Sequence, residues 1–188
     1  MLLPKKLITN NVLGLFLTFQ LGMISRTLMN KMLCEKHKTM HTREINESEL
    51  RQLLDLYQHL HEQDDKLPEL EVIERVWQQI QNDSNIKYFG IFHNNKLVSS
   101  CTISVIPNLT RSCRPYAVIE NVVTHKQYRK RGLGKTVLDK AISFGWENNC
   151  YKIMLMTGRL NENTFRFYES VGFKKDSKQA FILKRQNT

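Results

Sequence analysis

The sequence predicts one mixed α/β domain, and three observations support that prediction. Residues 118–124 are mostly β-branched, as in a buried β-strand. A basic loop with two glycines follows, and from Leu133 onward apolar residues recur at the spacing of a helix. The composition, with 41% hydrophobic and 24% charged residues among 188, is that of a globular protein. A chain of this length can bury one hydrophobic core.

On the N-terminal side of this strand–loop–helix unit, the apolar pattern predicts a strand, two helices and a β-hairpin. Asn46 or Ser48 can cap the first helix, and residues 93–95 supply the polar turn of the hairpin. The predicted elements are a strand at 40–45, a helix from Leu50 to Leu60, a helix from Val72 to Ile80, and strands at 86–92 and 96–106.

On the C-terminal side, the pattern predicts a strand, a helix and a last hairpin. The strand covers residues 152–157, and the helix covers residues 161–170. Gly172 follows that helix in the position where a left-handed residue commonly ends one. The last hairpin is expected between Phe173 and Lys184.

The net charge of +10 is divided between two parts of the chain. Residues 1–40 contain six basic residues and one acidic residue, whereas the remainder contains 22 basic and 17 acidic residues. Half of the excess therefore lies before the predicted domain, and much of the other half surrounds the basic loop. A nucleic-acid-binding protein that uses residues 126–140 as a basic patch is one alternative, although no nucleic-acid partner is expected.

Residues 1–38 are expected to form an N-terminal extension that catalysis does not need, and residues 39–188 form the predicted domain. An apolar run of 13 residues covers positions 12–24, which is shorter than the roughly 20 residues of a membrane-spanning helix. A targeting segment, a membrane anchor and a translation start at Met40 all stay open. We expect an intracellular, cytoplasmic protein, with organelle or membrane association through this extension as the alternative.

The four cysteines, which are Cys34, Cys101, Cys113 and Cys150, lack the paired spacing of a metal site. Reduced thiols in an intracellular protein are the expectation, and no metal site is predicted.

The basic loop Arg129-Lys-Arg-Gly-Leu-Gly134 has the features of an anion site. The first amides of a helix lack partners within the helix, and the helix dipole makes that end positive. Because Gly132 and Gly134 have no side chains, the backbone can approach a bound pyrophosphate closely. The loop is not a dinucleotide fingerprint, since position 137 is Val, and it is not a Walker loop, since position 129 is Arg.

The loop resembles the acetyl-CoA pyrophosphate signature of the GNAT superfamily of N-acetyltransferases, [Arg/Gln]-x-x-Gly-x-[Gly/Ala]. Residues 161–173 resemble a later motif of that family, Asn-x-x-Ala-x-x-[Leu/Phe]-Tyr-x-x-x-Gly-Phe, and residues 149–156 fit its fifth strand. The resemblance covers roughly residues 40–184. Thr164 departs from it, because it stands where the family usually has Ala.

The resemblance implies a central mixed, mostly antiparallel sheet of about six or seven strands, flanked by about four helices. The fourth and fifth strands splay apart, and acetyl-CoA lies in the gap without a metal. Residues 120–123 and 149–153 are similar to the glucosamine-6-phosphate N-acetyltransferase branch. The residues expected to contact acetyl-CoA are Asn121, Val122, Val123, Thr124, Arg129, Lys130, Arg131, Gly132, Leu133, Gly134, Lys135, Asn161 and Tyr168.

Glu120 is the predicted general base for the acceptor amine. It is a carboxylate inside an apolar strand, and strand alternation places it on one face with Val122 and Thr124. Burial would raise its pKa toward the range in which a base works at neutral pH. The alternative is a structural ion pair with Arg111, Arg114 or Arg159.

Tyr168 matches the family tyrosine that protonates the departing CoA thiolate. The alternative for this residue is a core tyrosine, just as Asn161 either contacts the coenzyme or only caps its helix. Tyr116 is a second candidate for the base.

The resemblance thus implies transfer of acetyl from acetyl-CoA to a primary amine by direct attack. The acceptor is expected to be a small molecule, or else a protein lysine or N-terminus, and a homodimer is possible. A non-catalytic sensor or scaffold that binds an acyl-CoA is the other alternative.

Overall fold

One five-stranded sheet organises the part of the chain that a computed structural model describes, which comprises residues 40–60 and 65–185. The strands are β1 (Met40–Glu44), β2 (Ile86–His93), β3 (Lys96–Ile106), β4 (Tyr116–Thr124) and β5 (Ile153–Leu155). The helices of eight or more residues are α1 (Leu50–Tyr57), α2 (Leu70–Asn82), α3 (Leu133–Glu147) and α4 (Glu162–Glu169). The α/β class and the four helices agree with the prediction.

The strands lie in the order β1-β2-β3-β4-β5. The first four strands pair antiparallel, and β4 and β5 pair parallel. The turn between β2 and β3 contains Asn94 and Asn95, whose φ angles are 51° and 62°. Two consecutive positive φ angles match the twist of a tight hairpin, and Asn tolerates them. The predicted hairpin is confirmed.

Helices cover both faces of the sheet. The side chains of α3 that face the sheet, such as Val137, Leu138 and Ala141, are completely buried against β2, β3 and β4. On the opposite face, Leu53 of α1 and Trp77 of α2 form a second, smaller core. The sheet therefore presents α3 on one side and the pair α1 and α2 on the other.

The predicted last hairpin is wrong, and the strand count is five rather than six or seven in the described residues. Residues 173–179 contain one apolar residue, Phe173, which is too few to bury a strand face. Lys175–Ser177 forms a 3₁₀ turn instead. The apolar side chains of Phe181 and Leu183 stay exposed, at 91% and 100%.

The predicted N-terminal extension, residues 1–38, lies outside the described residues, as does Cys34. Cys101 and Cys150 are buried thiols, and Cys113 is an exposed one. None of the helices in the described ranges combines the length and the apolar character that crossing a membrane would need.

Candidate active site

A cleft opens where β4 and β5 separate. The two strands pair only from Ala117 opposite Ile153 to Ile119 opposite Leu155. Beyond this point β5 ends, whereas β4 continues to Thr124 along β3. The expected splay of the fourth and fifth strands is confirmed. The resulting cleft has a volume of about 840 Å³.

A β-bulge lies in β4 at the mouth of this cleft. Thr102 pairs with Glu120 and Ser100 with Val123, so the two residues Asn121 and Val122 oppose one residue of β3. Asn121 has a φ of 53°. The extra residue bends the strand and re-aims its side chains, as bulges near active sites commonly do.

The bulge corrects the predicted alternation of Glu120. Ala117, Ile119 and Val122 pack against the core under α3, whereas Val123 belongs to the core under α1 and α2. Without the bulge, Val122 and Glu120 would share a face. The inserted residue instead leaves Glu120 on the α1 and α2 face.

The basic loop enters α3 in the conformation of an anion site. Lys130 and Gly132 have φ angles of 59° and 79°, and Gly132 is the N-cap residue of α3. It has no side chain that could cap the helix, so the first amides of α3 lack a side-chain partner within the described part of the chain. Consecutive residues that alternate between right-handed and left-handed conformations direct their amides toward one point, where the amides can hold an anion.

The two glycines of the loop serve different purposes. A Cβ atom on Gly132 would meet nothing within 4 Å, so its positive φ is the feature that requires glycine. A Cβ atom on Gly134 would lie 3.0 Å from Cζ of Phe167 in α4. Gly134 is thus needed for close packing of α3 on α4, a reason that the sequence analysis missed.

Two arginines connect the cleft loops to the end of α1. Arg129 donates from Nε to the carbonyl of Thr124 at 3.0 Å and from Nη2 to the carbonyl of His59 at 3.1 Å. Arg159, in the loop after β5, donates from Nη2 to the carbonyl of Leu60 at 2.6 Å. Both arginines line the cleft, and the contact between residues 60 and 159 had no signal in the sequence.

Glu120 lines the cleft with an exposed side chain. Partial burial raises the pKa of its carboxyl group above the ordinary value. Within residues 40–60 and 65–185 it makes no ion pair, so the alternative pairing with an arginine is not formed. The Glu120 carboxylate is therefore available to a ligand in the cleft.

Tyr168 extends from α4 toward the same space and is half-buried. Burial raises the pKa of its phenol; the charge of Arg159 lowers it in part, and the Glu120 carboxylate adds to the rise. The phenol therefore stays protonated at neutral pH. Its hydroxyl has no hydrogen-bond partner among the described residues, which leaves it free to donate.

The structure brings most of the predicted site residues together. Arg131 and Asn161 do not line the cleft, and Asn161 caps α4 by accepting a hydrogen bond from the amide of Thr164 at 3.0 Å. Tyr116 is also outside it. The predicted residues that do line it are Glu120, Asn121, Val122, Val123, Thr124, Arg129, Lys130, Gly132, Leu133, Gly134, Lys135 and Tyr168.

A cleft between splayed strands, with a helix N-terminus at one end, is the arrangement that the resemblance to N-acetyltransferases implied. The sequence profile of the acetyltransferase (GNAT) family matches residues 49–173, which is more than half of the chain. The chain therefore belongs to the acetyltransferase (GNAT) family.

Known proteins that the chain resembles agree with this assignment. It is 32% identical over 84 residues to the glucosamine 6-phosphate N-acetyltransferase of Trypanosoma brucei brucei, a match that covers 45% of this chain and 55% of that protein. The chain spans about half the length of the curated relatives it matches.

Solved structures share the fold over a larger part of the chain. A putative acetyltransferase from Agrobacterium tumefaciens is 39% identical, with a TM-score of 0.72 over 77% of this chain and 99% of that one. An aminoglycoside N-acetyltransferase solved in complex with CoA is 17% identical, with a TM-score of 0.64 over 79% of this chain and 96% of that one. The latter likeness concerns the fold alone.

Proposed function

We propose that this chain transfers an acetyl group from acetyl-CoA to a primary amine. The observation that carries the proposal is one cleft with an anion-binding helix N-terminus at the end of β4 and with Glu120 and Tyr168 further along. An acetyl-CoA molecule needs a pyrophosphate site and a reacting centre at opposite ends of a slot. We place the first at the N-terminus of α3 and the second at Glu120 and Tyr168.

The coenzyme would be held mainly by backbone groups. The pyrophosphate would lie on the amides of residues 129–134 and the first turn of α3, where the helix dipole favours negative charge. The side chains of Lys130 and Lys135 line that end and add positive charge. The pantetheine arm would bond to β4 between Asn121 and Thr124, beyond the last residue that pairs with β5.

The chemistry would be a direct attack on the thioester. Glu120, directly or through a water molecule, removes a proton from the acceptor ammonium, and the neutral amine attacks the carbonyl carbon. A C–N bond forms, and the C–S bond breaks as the tetrahedral intermediate collapses. Tyr168 donates its proton to the departing thiolate, and the second proton that the amine nitrogen loses on collapse restores the Tyr168 phenol through water. Backbone amides of β4 polarise the carbonyl oxygen.

The acceptor class follows from the names of related proteins. A curated relative is named for glucosamine 6-phosphate, and structural neighbours are named for aminoglycosides. We propose amino sugars as the first acceptors to test. The domain that performs the reaction would be residues 39–188.

Isothermal titration of acetyl-CoA into the wild-type protein and into Gly132→Glu tests the coenzyme site. Micromolar binding that Gly132→Glu abolishes is the expected result, because the new carboxylate would repel the pyrophosphate. Gln179→Glu adds the same charge at an exposed position away from the cleft and should bind normally. Lys135→Glu, which carries no backbone strain, provides a second test.

Turnover on an amine panel then decides the activity. Absence of acetyl-CoA binding in the folded wild-type protein would contradict the proposal. Binding without turnover on any amine would favour the sensor or scaffold, provided that Glu120→Gln and Tyr168→Phe bind as tightly as wild type. Salt-dependent binding of nucleic acid that CoA does not displace would favour the basic patch.

A further inference from the structure

Three neighbouring strands present a row of polar side chains on the α1 and α2 face of the sheet. Tyr88 of β2 lies directly opposite Thr102 of β3, and Thr102 lies directly opposite Glu120 of β4. Directly paired residues of antiparallel strands point to the same face, with Cβ atoms about 4.5–5.5 Å apart. Thr102 is therefore the neighbour of Glu120 on the side away from β5.

The hydroxyl of Thr102 belongs to a buried polar cluster. Ser100 is two residues away on the same strand, so it shares this face. Tyr57 of α1 packs against the core on this face. The hydroxyl oxygens of Tyr57, Ser100 and Thr102 are buried and have no hydrogen-bond partner among the described residues. Ser100 is 0% exposed and Thr102 is 6% exposed.

The hydroxyls of Tyr57 and Thr102 lie within reach of each other, although neither has a partner at the distance and angle of a hydrogen bond among the described residues. Thr102 and Asn121 are close enough to the Tyr57 phenol to oppose the rise in its pKa that burial causes. Thr102 also opposes the rise in the pKa of Tyr88. The Thr102 hydroxyl nevertheless does not lie at the distance and angle of a hydrogen bond to the phenol of Tyr57 or of Tyr88. Leaving buried hydroxyls unpaired is costly. Apolar residues of nearly the same shape, which are Val for Thr102, Ala for Ser100 and Phe for Tyr57, would avoid that cost. A polar occupant is therefore expected between these hydroxyls.

We propose that Thr102, with the hydroxyls of Tyr57 and Ser100, holds an ordered water molecule against the Glu120 carboxylate and so positions the base. This inference rests on the proposed function. A buried water needs two to four polar partners, which the three hydroxyls and the carboxylate supply. A bond to the ionised carboxylate stabilises that form and keeps it ready to accept the amine proton.

Three phenols lie around Glu120 and Thr102. Tyr168 of α4 lies near Glu120, Tyr57 of α1 lies near Thr102, and Tyr88 of β2 pairs with Thr102; burial raises the pKa of all three phenols. They therefore stay neutral between pH 5 and 9. Arg159, from the loop after β5, adds a guanidinium group to the lining of the cleft. An acidic limb that the wild-type protein shows and Glu120→Gln lacks would report on Glu120, whereas a limb that both share would report on the substrate amine or on His59 and His125, whose pKa values burial lowers.

The test compares Thr102→Val, which keeps the shape and removes the hydroxyl, with Thr102→Ser, which restores it. For an amine that the wild-type protein acetylates, kcat/KM is measured against pH. Thr102→Val should move the acidic limb to higher pH, with about a tenfold loss at pH 6 and no loss on the alkaline plateau. Thr102→Ser should return the limb to its wild-type position, and Tyr57→Phe should shift it in the same direction as Thr102→Val.

A uniform loss at all pH values, or no change, would overturn the proposal. Thr42→Val makes the same substitution on β1 and should leave the profile unchanged. Titration of the carboxyl carbon of Glu120 by NMR, assigned with Glu120→Gln, gives a readout that needs no turnover. If the protein acetylates no amine but the Glu120 titration midpoint is higher in Thr102→Val than in wild type, this inference is supported and the proposed function is contradicted. Equal midpoints would contradict this inference alone.

Discussion

Gly134 packs directly against Phe167, since a Cβ atom at position 134 would stand 3.0 Å from Cζ and 3.2 Å from Cε2 of the ring. This contact joins the first turn of α3, where the coenzyme phosphates are proposed to bind, to the helix that carries Tyr168. Substitution at Gly134 should therefore disturb both the proposed phosphate site and the position of Tyr168.

Gly134→Ala should lower kcat and raise KM for acetyl-CoA together, because the methyl group pushes Phe167 and α4 away. Gly132→Ala should weaken coenzyme binding for another reason, since a left-handed backbone with a side chain costs about 1 kcal/mol. Gly158 also lines the cleft, but a Cβ there meets nothing within 4 Å, so Gly158→Ala is the matched control. Kinetics of Gly134→Ala equal to those of this control would contradict the packing argument.

Tyr168→Phe should lower kcat while acetyl-CoA binds as before. A CoA thiolate is a good leaving group, so we expect a loss of about tenfold to a hundredfold rather than complete inactivation. Titration calorimetry and steady-state kinetics on the same preparations separate binding from turnover.

Tyr116→Phe is the control for that experiment. Tyr116 lies at the start of β4, outside the cleft, and its ring packs against Tyr151. Its substitution should leave kcat unchanged. A larger loss from Tyr116→Phe than from Tyr168→Phe would make Tyr116 the better candidate for proton transfer.

The bulge in β4 shows what the sequence could and could not predict. Local patterns were sufficient for β4, for α3 and for the turn at Asn94 and Asn95, because each depends on residues adjacent in the chain. The extra residue at Asn121 depends on how β4 pairs with Ser100 and Thr102, which no local pattern reports. An alternating pattern assumes no insertion, so the predicted face of Glu120 was wrong.

Contacts between distant segments were missed for the same reason. The hydrogen bond from Arg159 to Leu60 joins residues that are 99 positions apart. A prediction of that contact needs the topology that brings the end of α1 to the loop after β5. Most residues of the predicted loop do line the cleft, in contrast, because the helix N-terminus is a local feature.

Glu120→Gln should make the protein more stable at neutral pH and less active. Burial raises the pKa of Glu120, so the folded state binds this proton more tightly than the unfolded state does. Its stabilising contribution is then complete below the unfolded pKa and is lost as the pH rises through the folded pKa. The neutral amide does not incur this loss.

The gain in Tm should be small, about 1–2 °C at pH 7, because the side chain is exposed. The gain in Tm should vanish near pH 4, where the Glu120 carboxyl group is neutral, as the amide of the variant is. Thermal unfolding of the two proteins at several pH values measures the difference, and Glu74→Gln, at an exposed position of α2, is the control. A Glu120→Gln protein that is less stable at pH 7 would show that the carboxylate has a structural partner.

A chain that begins at Met40 should bind acetyl-CoA with the same affinity as the full chain. Among the described residues, those that line the cleft lie in the range 60–170, and the family profile begins at residue 49. β1 pairs with β2 from Met40 onward, so the shortened chain keeps the whole sheet. Titration calorimetry on both proteins, with the melting temperature as a check of folding, makes the comparison. A folded but weaker-binding short chain would show that residues 1–39 contribute to the coenzyme site, which the proposed domain boundary does not allow.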